Sequence, residues 1–194
     1  MPPPPEENQP PENRVFISRS ARDAELTGSL AQFLRGAYYR TGYIVSNERL
    51  DVSHPPGKID YRVFIGGNYA LMPILRFVGD IVVREGLQPI IAADFDIPRD
   101  KTNEYSQRLL LQCRRAIFEC TIGNGHSLEI QKVLDSGAMG ISMLLLYMTQ
   151  IPGREFPNTV TSMIRSLANP RPQGYISLGE MDNLILGFLR TPVK

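Results

Sequence analysis

The sequence predicts an α/β fold: a central, mostly parallel sheet of five strands with helices on both faces. Three observations carry that expectation. From residue 61 onward, short apolar runs alternate with longer stretches whose apolar residues recur at helical spacing. The apolar runs end in glycine, asparagine or aspartate, residues that turn a strand toward the next helix. Finally, 194 residues, 42% of them hydrophobic, suffice for one α/β domain with a full core but not for two comfortable ones.

Residues 1–13 are rich in Pro, Glu, Asn and Gln, cannot bury enough apolar surface to fold, and read as a disordered, partly polyproline tail. Residues 14–58 read as an N-terminal helical extension and linker. Val15, Phe16 and Ile17 open it as a strand or as the hydrophobic lead-in to a helix, with Ser20 or Asp23 as cap. Leu26, Leu30, Phe33, Leu34 and Ala37 then recur at helical spacing over residues 24–38, and Gly42 ends that helix. Pro55, Pro56 and Gly57 mark the linker.

The α/β domain is expected over residues 59–194. A strand over residues 61–65 ends at Gly66, Gly67 and Asn68. The helix over residues 71–85 tolerates Pro73 in its first turn and closes at Gly86. A strand over residues 88–93 ends at Asp94, Phe95 and Asp96, and a helix over residues 103–114 turns Leu109, Leu110 and Cys113 to the core. A strand over residues 116–120, a helix over residues 127–134 closed by Gly137, and a fully buried strand over residues 140–147 follow. A loop over residues 151–158, a helix over residues 159–167, a short strand over residues 175–178 and a helix over residues 180–190 complete the chain.

Net charge is +1, so nothing calls for a nucleic-acid polymer or an anionic membrane surface. The longest apolar run, residues 141–148, is too short to span a bilayer, and the start of the chain lacks the basic-then-apolar pattern of a signal peptide. Cys113 and Cys120 form no CxxC pair, and His54 and His126 are far apart, so no zinc-ligand spacing is present. Isolated thiols fit a reducing cytoplasm, the expected location.

In open α/β sheets, ligands bind beyond the carboxyl ends of the strands, where strand order reverses. With the common flavodoxin-like order 2-1-3-4-5 of a three-layer sandwich, that point lies between the first and third strands. The turn Gly66-Gly67-Asn68-Tyr69 then faces the loop over residues 121–126, with Asp94 and Phe95 beside them. Gly66, Gly67 and Asn68 read either as a ribose or phosphate contact or as a tight turn, and they do not make GxGxxG.

Glu129 falls in the first turn of the helix after that loop. The helix macrodipole and nearby N–H groups lower a carboxylate's pKa there, so Glu129 is expected to be ionised and suited to act as a nucleophile or cation stabiliser. Glu119 interrupts an apolar strand, which calls either for a pair with Arg114 or Arg115 or for a role as a second carboxylate at the crevice. His126 reads as a substrate contact, a proton donor, a helix cap or a solvent-exposed turn residue. Asp94 is a candidate for ribose hydroxyls. Tyr69, Phe95, Gly125 and Ser127 complete the candidate binding set.

The run of strand and Gly66-Gly67-Asn68, strand and Asp94-Phe95, then Ala116-Ile-Phe-Glu-Cys-Thr followed by Gly125-His-Ser-Leu-Glu-Ile resembles the group uniting nucleoside 2-deoxyribosyltransferases with Toll/interleukin-1 receptor (TIR) domains. That resemblance implies a hydrolase or transferase acting on an N-glycosidic bond of NAD or of a nucleoside or nucleotide, with Glu129 catalytic, no metal or other cofactor, and NAD as the first choice of substrate. It implies a nucleotide or nucleoside as partner, and it admits a homo-oligomer. The alternative it carries is a non-catalytic TIR-like module that senses a nucleotide or scaffolds a complex.

Overall fold

The five apolar runs pair edge to edge as one sheet. In the computed structural model, which describes residues 49–121, 126–135, 140–149 and 170–193, they are β1 (Arg62–Gly67), β2 (Gln88–Ile90), β3 (Arg115–Glu119), β4 (Ser142–Met148) and β5 (Gln173–Tyr175). Their order is β2-β1-β3-β4-β5, and every neighbouring pair is parallel. This is the flavodoxin-like order expected from the sequence, with the reversal between β1 and β3. The tail, the helix expected over residues 24–38, Gly137 and the helix expected over residues 159–167 lie outside the described residues.

Four helices cover the sheet among the described residues: α1 (Met72–Arg84), α2 (Thr102–Leu110), α3 (Ser127–Asp135) and α4 (Leu178–Arg190). The strand pleat sends alternate side chains to opposite faces. Val63, Ile65, Ile117 and Leu146 therefore meet Ile74, Val78 and Ile81 of α1 and Ile185 of α4. Phe64, Ala116, Phe118 and Leu145 meet Leu109 and Leu110 of α2 and Ile130 of α3. The result is three layers with a core on each side of the sheet. Each fully buried Leu, Ile or Phe contributes roughly 1.5–3 kcal/mol relative to exposure.

Several element ends differ from the sequence reading, each for a local reason. β1 runs on through both glycines instead of stopping before them. β2 is short because residues Ala92–Asp94 tighten into a 3-10 turn. α2 stops at Leu110 rather than at residue 114. The last strand ends at Tyr175 and α4 begins at Leu178, because Ser177 and Glu180 form a capping pair. The Ser177 hydroxyl accepts from the Glu180 N–H at 3.2 Å, and the Glu180 carboxylate accepts from the Ile176 N–H at 2.8 Å.

The described part of the expected linker is fastened to this domain. Leu50 makes a parallel bridge with Phe95, donating to the Asp94 carbonyl and accepting from the Asp96 N–H, both at 2.9 Å. Val52 is buried with Phe95 in the core beneath α2. The Arg62 guanidinium donates to the carbonyls of Pro55 at 2.8 Å, Pro56 at 3.0 Å and Gly57 at 2.6 Å, so one cation holds the proline turn against the sheet. Among the described residues, no helix is long and apolar enough to cross a membrane.

Candidate active site

A cavity of about 290 Å³ opens beyond the carboxyl end of β1, at the place where strand order reverses. Phe64, Gly66 and Gly67 of β1 form its floor, and Asn68 and Tyr69 its near wall. Thr102, Asn103 and Ser106 come from α2, Ala92 from the turn after β2, and His126 and Glu129 from the start of α3. Parallel pairing brings these distant segments together, because each connection leaves the sheet at the same edge. The described lining carries hydroxyls, amides, one imidazole and one carboxylate, and no Lys or Arg.

Glu129 sits in the first turn of α3 and is only 5% exposed. Its burial raises its pKa, opposed by the nearby Ser106 side chain and by its own backbone N–H. The expected lowering by the helix start is therefore corrected: loss of water around the carboxylate outweighs the helix dipole.

His126 precedes α3, and its carbonyl accepts the first helical bond, from the Ile130 N–H at 3.0 Å. Its side chain is not a cap. The ring is 1% exposed, and among the described residues neither Nδ1 nor Nε2 has a hydrogen-bond partner. It lies 6.4 Å from the Phe118 ring, centroid to centroid. Burial pushes its pKa down to about 4, so the ring is neutral near pH 7. An imidazolium acting as proton donor is thus not the resting state.

Tyr69 keeps 44% of its surface open, yet its phenol is pushed up to about 12, first by burial and then by the Glu129 and Asp94 carboxylates. Its O–H stays protonated at the cavity wall. The Asn68 side-chain oxygen accepts from the Ala70 N–H at 2.9 Å, which leaves the Asn68 amide NH₂ for the cavity.

Gly66 and Gly67 are required by packing, not by a turn. Neither adopts positive φ. A Cβ on Gly66 would lie 2.5 Å from the Phe118 ring, and one on Gly67 would lie 2.8 Å from Leu75 and 3.1 Å from the Glu119 carbonyl oxygen. The missing side chain of Gly66 leaves the cavity floor open on the Phe64 and Phe118 face, whereas a side chain on Gly67 would point to α1.

Glu119 and Asp94 are placed elsewhere. Glu119 is in register with Gly67, but the pleat turns its side chain to the α1 and α4 face, away from Phe118 and the cavity. There it accepts from the Thr121 hydroxyl, from the Thr121 N–H at 3.1 Å and from the Tyr175 O–H at 2.8 Å. Neither Arg114 nor Arg115 is its partner in these bonds, and it does not line the cavity. Burial pushes its pKa up to about 7, although these hydrogen bonds favour the anion. Asp94 is gripped by both Arg76 amino groups, one at 2.6 Å, and does not line the cavity. Phe95 is a core side chain. Gly125 and the side chain of Ser127 lie outside the described residues.

Thr102, Asn103 and Ser106 were missed by the sequence reading. Ser106 had a signal: it shares the buried helix face with Leu109 and Leu110, and a hydroxyl within an apolar stripe needs a partner. No family model matches the chain, and no curated protein matches it.

Proposed function

We propose that this cavity binds a nucleoside or the nucleoside end of a nucleotide, and that Glu129 cleaves or exchanges its N-glycosidic bond. One observation carries the reading. A buried carboxylate, at a helix start and beside Ser106, shares a small polar cavity with an open glycine floor. In its ionised form Glu129 stabilises positive charge at the anomeric carbon or attacks it as the carbon–nitrogen bond breaks and the electron pair leaves with the base. Water then gives hydrolysis, and a second base gives transfer. The resemblance to deoxyribosyltransferases and TIR domains points the same way.

Size and charge favour a nucleoside. The cavity is at the small end of ligand pockets, which run roughly 300–1,000 Å³, and no Lys or Arg lines its described part. NAD would enter by its nicotinamide riboside, with the diphosphate outside. The two cysteines are buried free thiols, which suits the cytoplasm.

A second reading, a module that binds a nucleotide without turnover, draws on the placement of Glu119. It leaves Glu129 as the sole carboxylate in the described lining, with no second acid to protonate the leaving base. Incubation of the full chain with NAD and with nucleosides decides between them. Release of nicotinamide or free base, abolished by Glu129→Gln, is expected; binding without release favours the second reading, and normal turnover by Glu129→Gln sinks the mechanism.

A further inference from the structure

We propose that His126 is a specificity-determining residue of this cavity, whose imidazole hydrogen-bonds the bound nucleoside directly. The inference rests on the nucleoside reading of the site. It is carried by an imbalance at the site: an imidazole 1% exposed, lining the cavity, with both ring nitrogens unpartnered among the described residues. Buried polar groups in folded proteins are paired as a rule, and an exception that lines a cavity calls for a role there. Among the described residues, Phe118 beside the ring offers only an aromatic face.

A neutral imidazole presents one N–H donor and one bare nitrogen acceptor. The burial that lowers its pKa to about 4 keeps it in that form at neutral pH. A nucleoside offers matching groups on its ribose hydroxyls and on the edge of its base. A ligand without such a group leaves the imidazole unsatisfied, and sites of this kind reject it strongly. Rejection is the selectivity that His126 adds to the chemistry of Glu129.

The test uses C-nucleosides, whose carbon–carbon link to the base resists cleavage: formycin A, formycin B and pseudouridine. Dissociation constants are measured by calorimetry for the full chain, His126→Phe and His126→Asn, and melting temperatures are measured without ligand. Phenylalanine keeps the aromatic packing, and asparagine keeps a donor and an acceptor. His126→Phe is expected to melt at or above the wild-type temperature and to bind the tightest probe at least about tenfold more weakly, with His126→Asn within about threefold of wild type. Equal losses for formycin A and formycin B put the contact on the ribose; unequal losses put it on the base.

Wild-type affinity in His126→Phe overturns the proposal while leaving the site reading intact. So does an equal loss in His126→Asn, or a large fall in the melting temperature of His126→Phe, which would assign the ring to the fold. If the wild type binds none of the three probes and releases no base from nucleosides, the site reading falls with it.

Discussion

The Ser106 side chain of α2 and the Glu129 carboxylate of α3 line one cavity, and Ser106 opposes the effect of burial on that carboxylate. Burial favours the neutral acid; the hydroxyl favours the anion. Removing the hydroxyl therefore raises the Glu129 pKa further. If the ionised carboxylate does the chemistry, activity rises with pH as Glu129 loses its proton, and the midpoint of that rise lies above that of an ordinary glutamate. Ser106→Ala should move the midpoint to higher pH and depress activity most on the acid side, leaving the alkaline plateau closer to wild type. A pH–rate profile of the two proteins checks this, and an unshifted acid limb would detach Ser106 from the chemistry.

Glu119 makes stability depend on pH through a different route. Its folded pKa of about 7 lies above the usual carboxylate value, so the folded state holds this proton more tightly than the unfolded chain. The contribution is fully present below the unfolded pKa, near 4.3, and is lost as pH rises through about 7. Between those limits the wild type should lose up to about 4 kcal/mol from this group. Glu119→Gln cannot ionise, so its denaturation midpoint should vary less over the same window, although its absolute stability drops because its NH₂ cannot accept from both Thr121 donors. Denaturant titrations at several pH values measure the difference, and parallel curves for the two proteins would refute the assignment.

The layout of the fold was legible because periodicity and strand alternation are local signals. The order 2-1-3-4-5 then followed from a topological regularity and brought the Gly66 turn and Glu129 together. The direction of side chains on β3 was not legible. The run Ala116-Ile117-Phe118-Glu119 is buried on both faces, so composition cannot say which face Glu119 takes; only its register and the arrival of Tyr175 from β5 decide it. Glu129 was found by position, but its electrostatics were read with the wrong sign. The helix start is a local feature, whereas desolvation comes from α2 and the cavity walls packed around it. Asp94 looked free in the sequence because its partner Arg76 sits 18 residues earlier, on α1.

The two glycines of β1 should behave differently from turn glycines. Gly66→Ala places a methyl group 2.5 Å from the Phe118 ring, and overpacking of this kind costs about 1–3 kcal/mol. At this chain length that corresponds to a fall of roughly 2–12 °C in melting temperature. Adding Phe118→Leu should restore part of the loss, since it removes the clashing ring. A double-mutant cycle in thermal denaturation checks the coupling, and strict additivity would show that the ring is not what excludes the side chain.

Arg76 and Asp94 form a two-pronged ion pair with side chains only 15% and 10% exposed. Breaking such a pair from one side leaves a charge without a partner in a poorly hydrated place, at about 3–5 kcal/mol for a fully buried pair and less here because some water reaches it. Arg76→Met should therefore destabilise the protein more than the double variant Arg76→Met with Asp94→Leu, which removes both charges. The single variant should also leave the Tyr69 phenol beside an unneutralised carboxylate, because Arg76 is the cation that opposes the Asp94 and Glu129 charges at that group. Ultraviolet titration of the tyrosines should show the affected phenol moving further up. A double variant less stable than Arg76→Met alone would mean that the pair holds the β2 turn by its hydrogen bonds more than by balance of charge.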